Sequence, residues 1–195
     1  MTRQALVAFA LLLVSAVVAA APSERHREWT RAAVSALPVH HEDRELETKR
    51  SQLDEVAEAV AIHSIDAPRP PREWASLMLA IAQAESGLSA RIIDHKCKPR
   101  ECDRGRAKGL GQIWKNALNR EDWAVADGNI PLQVKMLDDS LRRAFATCAR
   151  SGVPWVQATL NGYKGVLCSS EWPGLAPRIA TFQRLVAVSV TKEKS

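Results

Sequence analysis

One apolar stripe constrains this chain more than any other feature. In residues 72–86, Trp74, Leu77, Met78 and Ile81 recur at three- and four-residue spacings, the pattern of a helix with one face on a core. Four positions further on, the stripe meets Glu85 instead of another apolar residue. A carboxylate on that face carries a desolvation penalty. At the last turn of a helix it also sits at the negative end of the macrodipole. Both conditions disfavour charge, as a group that donates a proton requires. Taken alone, a Glu beside a glycine at a helix end is more often structural than chemical.

The flanking segments repeat the helical period. Leu53, Val56, Ala57, Val60 and Ala61 form a stripe that predicts a helix over about 45–63. The run Ala67-Pro68-Arg69-Pro70-Pro71 ends it, because proline lacks a donor and restricts the residue before it. Gly87 is placed to stop the helix that carries Glu85. Ile130, Val134, Leu137, Leu141, Phe145 and Cys148 mark a long amphipathic helix, with Asn129 as its N-cap and Pro131 tolerated in its first turn. A helix from Trp155 to about Tyr163 is expected to be broken by Gly162 and Gly165. Another, over 175–190, carries Ile179, Phe182, Leu185 and Val186. No strand alternation persists beyond the first twenty residues, so the expected fold is a single all-α domain.

The ends of the chain read differently. Arg3, an apolar run from Ala5 to Val18 and the small residues Ala19 to Ala21 describe a secretory signal peptide over 1–20, too short for a comfortable membrane span. Residues 21–48 read as a charged extension, with a short helix over 23–37 broken by Pro38. Residues 49–190 form the domain and 191–195 a tail. Export to a periplasmic or extracellular space makes the four cysteines readable as two disulfides. Three pairings are possible; Cys97 with Cys102 and Cys148 with Cys168 is the favoured one. No metal or other cofactor is expected. His95, Cys97 and Cys102 lack a four-ligand spacing, and His40-His41-Glu42-Asp43 reads as a solvated linker. The formal net charge is +5, one unit less without Arg3, which suits anionic partners such as cell-wall polymers. Export argues against nucleic acid.

Four motifs then follow in order: Ala84-Glu85-Ser86-Gly87, Gly109-Leu110-Gly111-Gln112-Ile113, Asn129-Ile130 opening the long helix, and Asn161-Gly162-Tyr163-Lys164-Gly165. Each is weak alone. As an ordered set, over roughly residues 53–168, they resemble the lysozyme-like lytic transglycosylases of the soluble SLT type. Two positions depart from that pattern. Gly111 stands where the family usually has methionine, which predicts a wider groove. The usual Tyr-Asn-x-Gly is altered, and the preferred register places Tyr163-Lys164-Gly165 there.

The resemblance implies a lysozyme-like fold with a saccharide groove. Glu85 would be the single catalytic acid/base. Ser86 would orient it or the sugar's N-acetyl group, Gln112 would hydrogen-bond the glycan, and Tyr163 would line the groove. Enzymes of this family cut peptidoglycan between N-acetylmuramic acid and N-acetylglucosamine, leaving a 1,6-anhydro end. Two other readings compete. A lysozyme-type muramidase would need a second carboxylate, for which Asp94, Asp103, Asp122 and Asp127 are the candidates. A non-catalytic peptidoglycan-binding or envelope-assembly component would keep Glu85 in a disabled groove. Trp114, Trp123 and Trp155 are assigned to no subsite, since large aromatics pack cores at least as often.

Overall fold

The helix bearing Glu85 runs Pro71–Ser86 (α3) and forms the axis of the molecule. The computed structural model describes residues 20–38, 46–98, 103–116 and 118–190. Residues 1–19 of the expected leader, the His40–Asp43 cluster, Cys102 and the tail lie outside them. Proline occupies the first turn of α3, where its missing donor costs nothing. Gly87 ends it in the left-handed conformation, φ 60°. Trp74, Ala75 and every residue from Leu77 to Ala82 are buried.

Around α3 the described residues form Glu24–Ser35 (α1), Leu46–His63 (α2), Ala90–Ile93 (α4), Arg120–Ala124 (α5), Ile130–Cys148 (α6), Trp155–Lys164 (α7) and Leu175–Val186 (α8). The protein is mostly helical, as the apolar periodicity predicts. α3 packs on α8, α2, α1 and α6, while α6 also carries α7 and α2. An aromatic cluster closes one end of the core: Trp74 stacks on Trp155 at 6.3 Å, and Phe145 and Phe182 meet those rings edge-on. Among the described residues no helix is long and apolar enough to cross a membrane.

Three features differ from the sequence expectations. The charged N-terminal segment is not merely an extension, because α1 buries Trp29, Ala33 and Val34 in the common core, and Leu37 just beyond it joins them. The glycine-flanked segment lies where no strand is expected. It is the loop of a short antiparallel hairpin, Ala107–Lys108 (β1) and Ile113–Trp114 (β2), with Ala107 opposite Trp114 and Lys108 opposite Ile113. Strands this short leave no alternation to read. Gly162, finally, does not break α7 but continues it. A Cβ there would stand 3.0 Å from the Ala144 carbonyl oxygen, so the glycine lets α7 lie close on α6; Gly165 alone ends the helix, at φ 74°.

The Cys148–Cys168 disulfide ties the end of α6 to the segment after α7, with Cα atoms 5.5 Å apart. Cys97 is also disulfide-bonded.

Candidate active site

A groove of about 750 Å³ opens between the hairpin, α6 and the C-terminal turn of α7, with Glu85 in its wall. Gly111, Gln112 and Trp114 line it from the hairpin, Arg143 from α6, and Tyr163 from α7. Residues 85, 112 and 163, far apart in the chain, therefore share one cavity.

Local chemistry explains how the hairpin presents its tip. The Gln112 amide donates to the Gly109 carbonyl at 3.0 Å, closing a four-residue turn. Gly109 and Gln112 both take positive φ, 69° and 47°, which is unremarkable for glycine and uncommon for glutamine. The Gln112 Nε2 donates to that same carbonyl at 3.1 Å. Beneath the turn lies Gln133, buried on α6. Its Oε1 accepts from the Leu110 amide at 3.1 Å, and its Nε2 donates to the Ile93 and Ala126 carbonyls at 2.7 Å. One side chain thus anchors the turn, α4 and the loop before α6. Lys108 secures the other side of the hairpin, pairing with Asp127 at 2.9 Å while its Nζ lies 4.2 Å from the Trp123 ring centroid.

The groove floor is shared between two motifs. The Tyr163 hydroxyl donates to the Gly111 carbonyl. A Cβ at Gly111 would stand 2.9 Å from Leu137 Cδ1 and 3.1 Å from the Tyr163 oxygen. The glycine therefore does not widen the groove, because the phenol and Leu137 close over the space a side chain would take. Burial, and then the charge of Glu85, push the Tyr163 phenol above its ordinary pKa, with Arg178 opposing. Tyr163 is accordingly a neutral hydrogen-bond donor at any working pH.

Glu85 itself is held by a residue with no sequence signal. Arg178, on α8 and 93 positions away, donates from Nη2 to Glu85 Oε1 at 2.5 Å. The side chains are 14% and 18% exposed, so the pair is partly desolvated yet open to the groove. Ser86 does not join the cavity. It is buried, its Oγ donating to the Ala82 carbonyl at 2.7 Å and accepting from the Leu88 amide at 3.2 Å. Its role is to finish the helix behind the acid, as serine commonly does by bonding back to the preceding turn.

Asn161 is likewise structural: buried, it donates to the Cys168 and Ser170 carbonyls at 2.8 Å and accepts from Trp172 Nε1 at 2.7 Å. Of the four candidate second carboxylates, Asp122 pairs with Lys135, Asp127 with Lys108, and Asp94 with Lys96. Only Asp103 lines the groove. Trp114 stands 55% exposed on the rim, whereas Trp155 belongs to the core and Trp123 to the hairpin support. Among the described residues no group of His, Cys, Asp or Glu is arranged to hold a metal ion.

Comparisons with protein-family models, with curated proteins and with solved structures return no match.

Proposed function

We propose that this chain is an exported, lysozyme-like lytic transglycosylase that cleaves peptidoglycan with Glu85 as its one acid/base. The observation that carries the reading is the meeting of Glu85, Gln112 and Tyr163 in one groove, three residues that the ordered motifs select independently of the coordinates. The groove wall is more polar than apolar, as a glycan site should be.

The chemistry runs in two proton transfers. Glu85, as the acid, gives its proton to the oxygen linking muramic acid C1 to the next sugar, and the C1–O bond breaks. The muramic acid's own 6-hydroxyl then closes on C1, returning its proton to the Glu85 carboxylate. No water enters, and the product is a 1,6-anhydro ring. One carboxylate suffices because the nucleophile is already part of the substrate, so the entropy cost of recruiting it is absent. Glycosidases that use water or a covalent intermediate need two. Gln112, with its amide nitrogen occupied by Gly109, offers its side-chain oxygen to a sugar hydroxyl or N-acetyl donor.

Mass spectrometry of digested peptidoglycan tests the reading. Anhydro-muropeptides that vanish with Glu85→Gln are the expected outcome; reducing ends alone reject it. A second reading has its own observation, since Asp103 lies on the same groove as Glu85. A muramidase would use it to activate water. Asp103→Asn abolishes activity under that mechanism and leaves it largely intact under ours.

A further inference from the structure

The geometry points to Arg178 as the positioning residue of Glu85, set in place by the disulfide-closed segment between α7 and α8. The chain of contacts is continuous. Cys148–Cys168 ties the start of that segment to α6. Asn161 on α7 takes the Cys168 and Ser170 carbonyls, and its own oxygen takes the Trp172 indole. The Trp172 ring lies 4.9 Å from the Arg178 guanidinium carbon. Arg178 Nη1 donates to the Gly174 carbonyl at 2.9 Å, which leaves Nη2 for Glu85. Among the described residues, Arg178 is the hydrogen-bond partner of Glu85, and it uses Oε1 alone.

Gly174 shows how tightly the arginine is held. A Cβ there would come within 2.1 Å of the Trp172 ring and 2.5 Å of Arg178 Nη1. No side chain fits at this position while both neighbours keep their places. A planar guanidinium confined between an aromatic face and a carbonyl has lost its rotamer freedom before any substrate arrives. Its hold on Glu85 therefore costs no further ordering in the reaction.

This placement matters for a group that alternates between acid and base. When Glu85 gives up its proton it becomes an anion, and a fixed cation at Oε1 stabilises that anion as it forms. Oε2 remains for the proton. The groups that share the site with this carboxylate are Arg178 from α8, Tyr163 and Lys164 from α7, Arg143 from α6 and Asp103 ahead of the hairpin. Arg178 is the one in direct contact.

The catalytic arm of this inference rests on the transglycosylase reading; the pairing does not. The test follows the Glu85 carboxyl by ¹³C NMR titration in wild type, Arg178→Gln and Arg178→Lys, alongside kcat and KM on peptidoglycan. Without the cation the carboxylate is less stabilised, so the titration midpoint in Arg178→Gln moves to higher pH, while Arg178→Lys stays near wild type. The alkaline limb of the pH–rate profile moves the same way. We expect kcat to fall on the order of a hundredfold in Arg178→Gln, with KM little changed and partial recovery in Arg178→Lys. A merely structural arginine would lower the melting temperature and move neither the midpoint nor the limb. Gly174→Ala, which keeps every charge but displaces the clamp, serves where Arg178→Gln does not fold, and its midpoint should also rise. An unmoved midpoint overturns the proposal. A moved midpoint in a protein that releases no anhydro product removes the transglycosylase reading instead and leaves the pairing standing.

Discussion

Two carboxylate–arginine pairs flank α3, and they are built to opposite ends. Asp138, on α6, is 5% exposed in its side chain and has every direction occupied. It accepts from Trp74 Nε1 at 2.7 Å and from Arg142 Nε at 2.8 Å, with His63 Nδ1 at 3.7 Å. Arg142 also donates to the Asp66 and His63 carbonyls. Among the described residues Glu85 has one hydrogen-bond partner, and it faces an open groove. A buried ion pair whose hydrogen bonds are all satisfied holds elements together. A pair with one oxygen unspoken for can also change partners, which is what proton transfer asks of it.

The sharpest way to break the comparison is to neutralise each carboxylate. Glu85→Gln should lower the rate of glycan cleavage by roughly 10²–10⁴-fold, the usual worth of a general acid–base group, while thermal denaturation stays close to wild type. Asp138→Asn should do the reverse. It turns an amide N–H toward a donor in the network that the buried Asp138 makes with Trp74 and Arg142, costing about 1–3 kcal/mol in chemical denaturation, with kcat per folded molecule unchanged. If the two variants exchange these signatures, the assignment of roles is wrong.

Removing the cross-link behind the site gives a mixed signature. The double variant Cys148→Ala/Cys168→Ala should lose about 3 kcal/mol, as expected for a loop of this length, since 20 residues separate the cysteines. It should also lose kcat at temperatures where it remains folded, because Asn161 and Trp172 then hold Arg178 less firmly.

A third polar contact, away from the groove, has no charged partner among the described residues and should respond to pH. His26 on α1 meets the buried Ser64 Oγ at 2.8 Å and stacks on Trp29. Burial pushes its pKa below the ordinary 6.5. The unfolded chain therefore binds the proton more readily than the folded one. Stability is full above about pH 6.5 and declines as pH falls below it toward the lower folded value. Melting curves from pH 7.5 to 5 should show that decline, and His26→Gln should flatten it.

The smallest effect is at the hairpin tip. Gln112→Gly relieves the positive φ and should leave stability within about 1 kcal/mol of wild type, yet cleavage should drop because the glycan loses a partner. Urea denaturation and the rate of peptidoglycan cleavage read the two sides separately.

The legible parts of the fold were those whose cause is local. Asn129 does cap α6, accepting from the Leu132 amide, and Gly87 and Gly165 end their helices where the chain turns left-handed. The stripe Trp29, Ala33, Val34, Leu37 was equally readable, but the surrounding charge of residues 21–48 concealed it. Of the candidate site residues, Glu85, Gln112 and Tyr163 reach the groove because each stands at an element's end. Ser86 occupies the adjacent position and turns inward. The Glu85–Arg178 pair had no signature, since nothing in a helix's own pattern says which distant guanidinium will face it. Gln133 was hidden for a related reason: a polar residue in an apolar stripe declares that it has partners but not which ones.

The contact between Tyr163 and Gly111 has a consequence for anyone who would redesign this groove. Position 111 has given up its side chain and position 163 supplies the bulk that fills the gap, 52 residues later. The two behave as one side chain distributed over two places in the chain. A larger residue at 111 needs room from Leu137 as well as a smaller residue at 163, and libraries that vary position 111 alone will sample mostly broken floors.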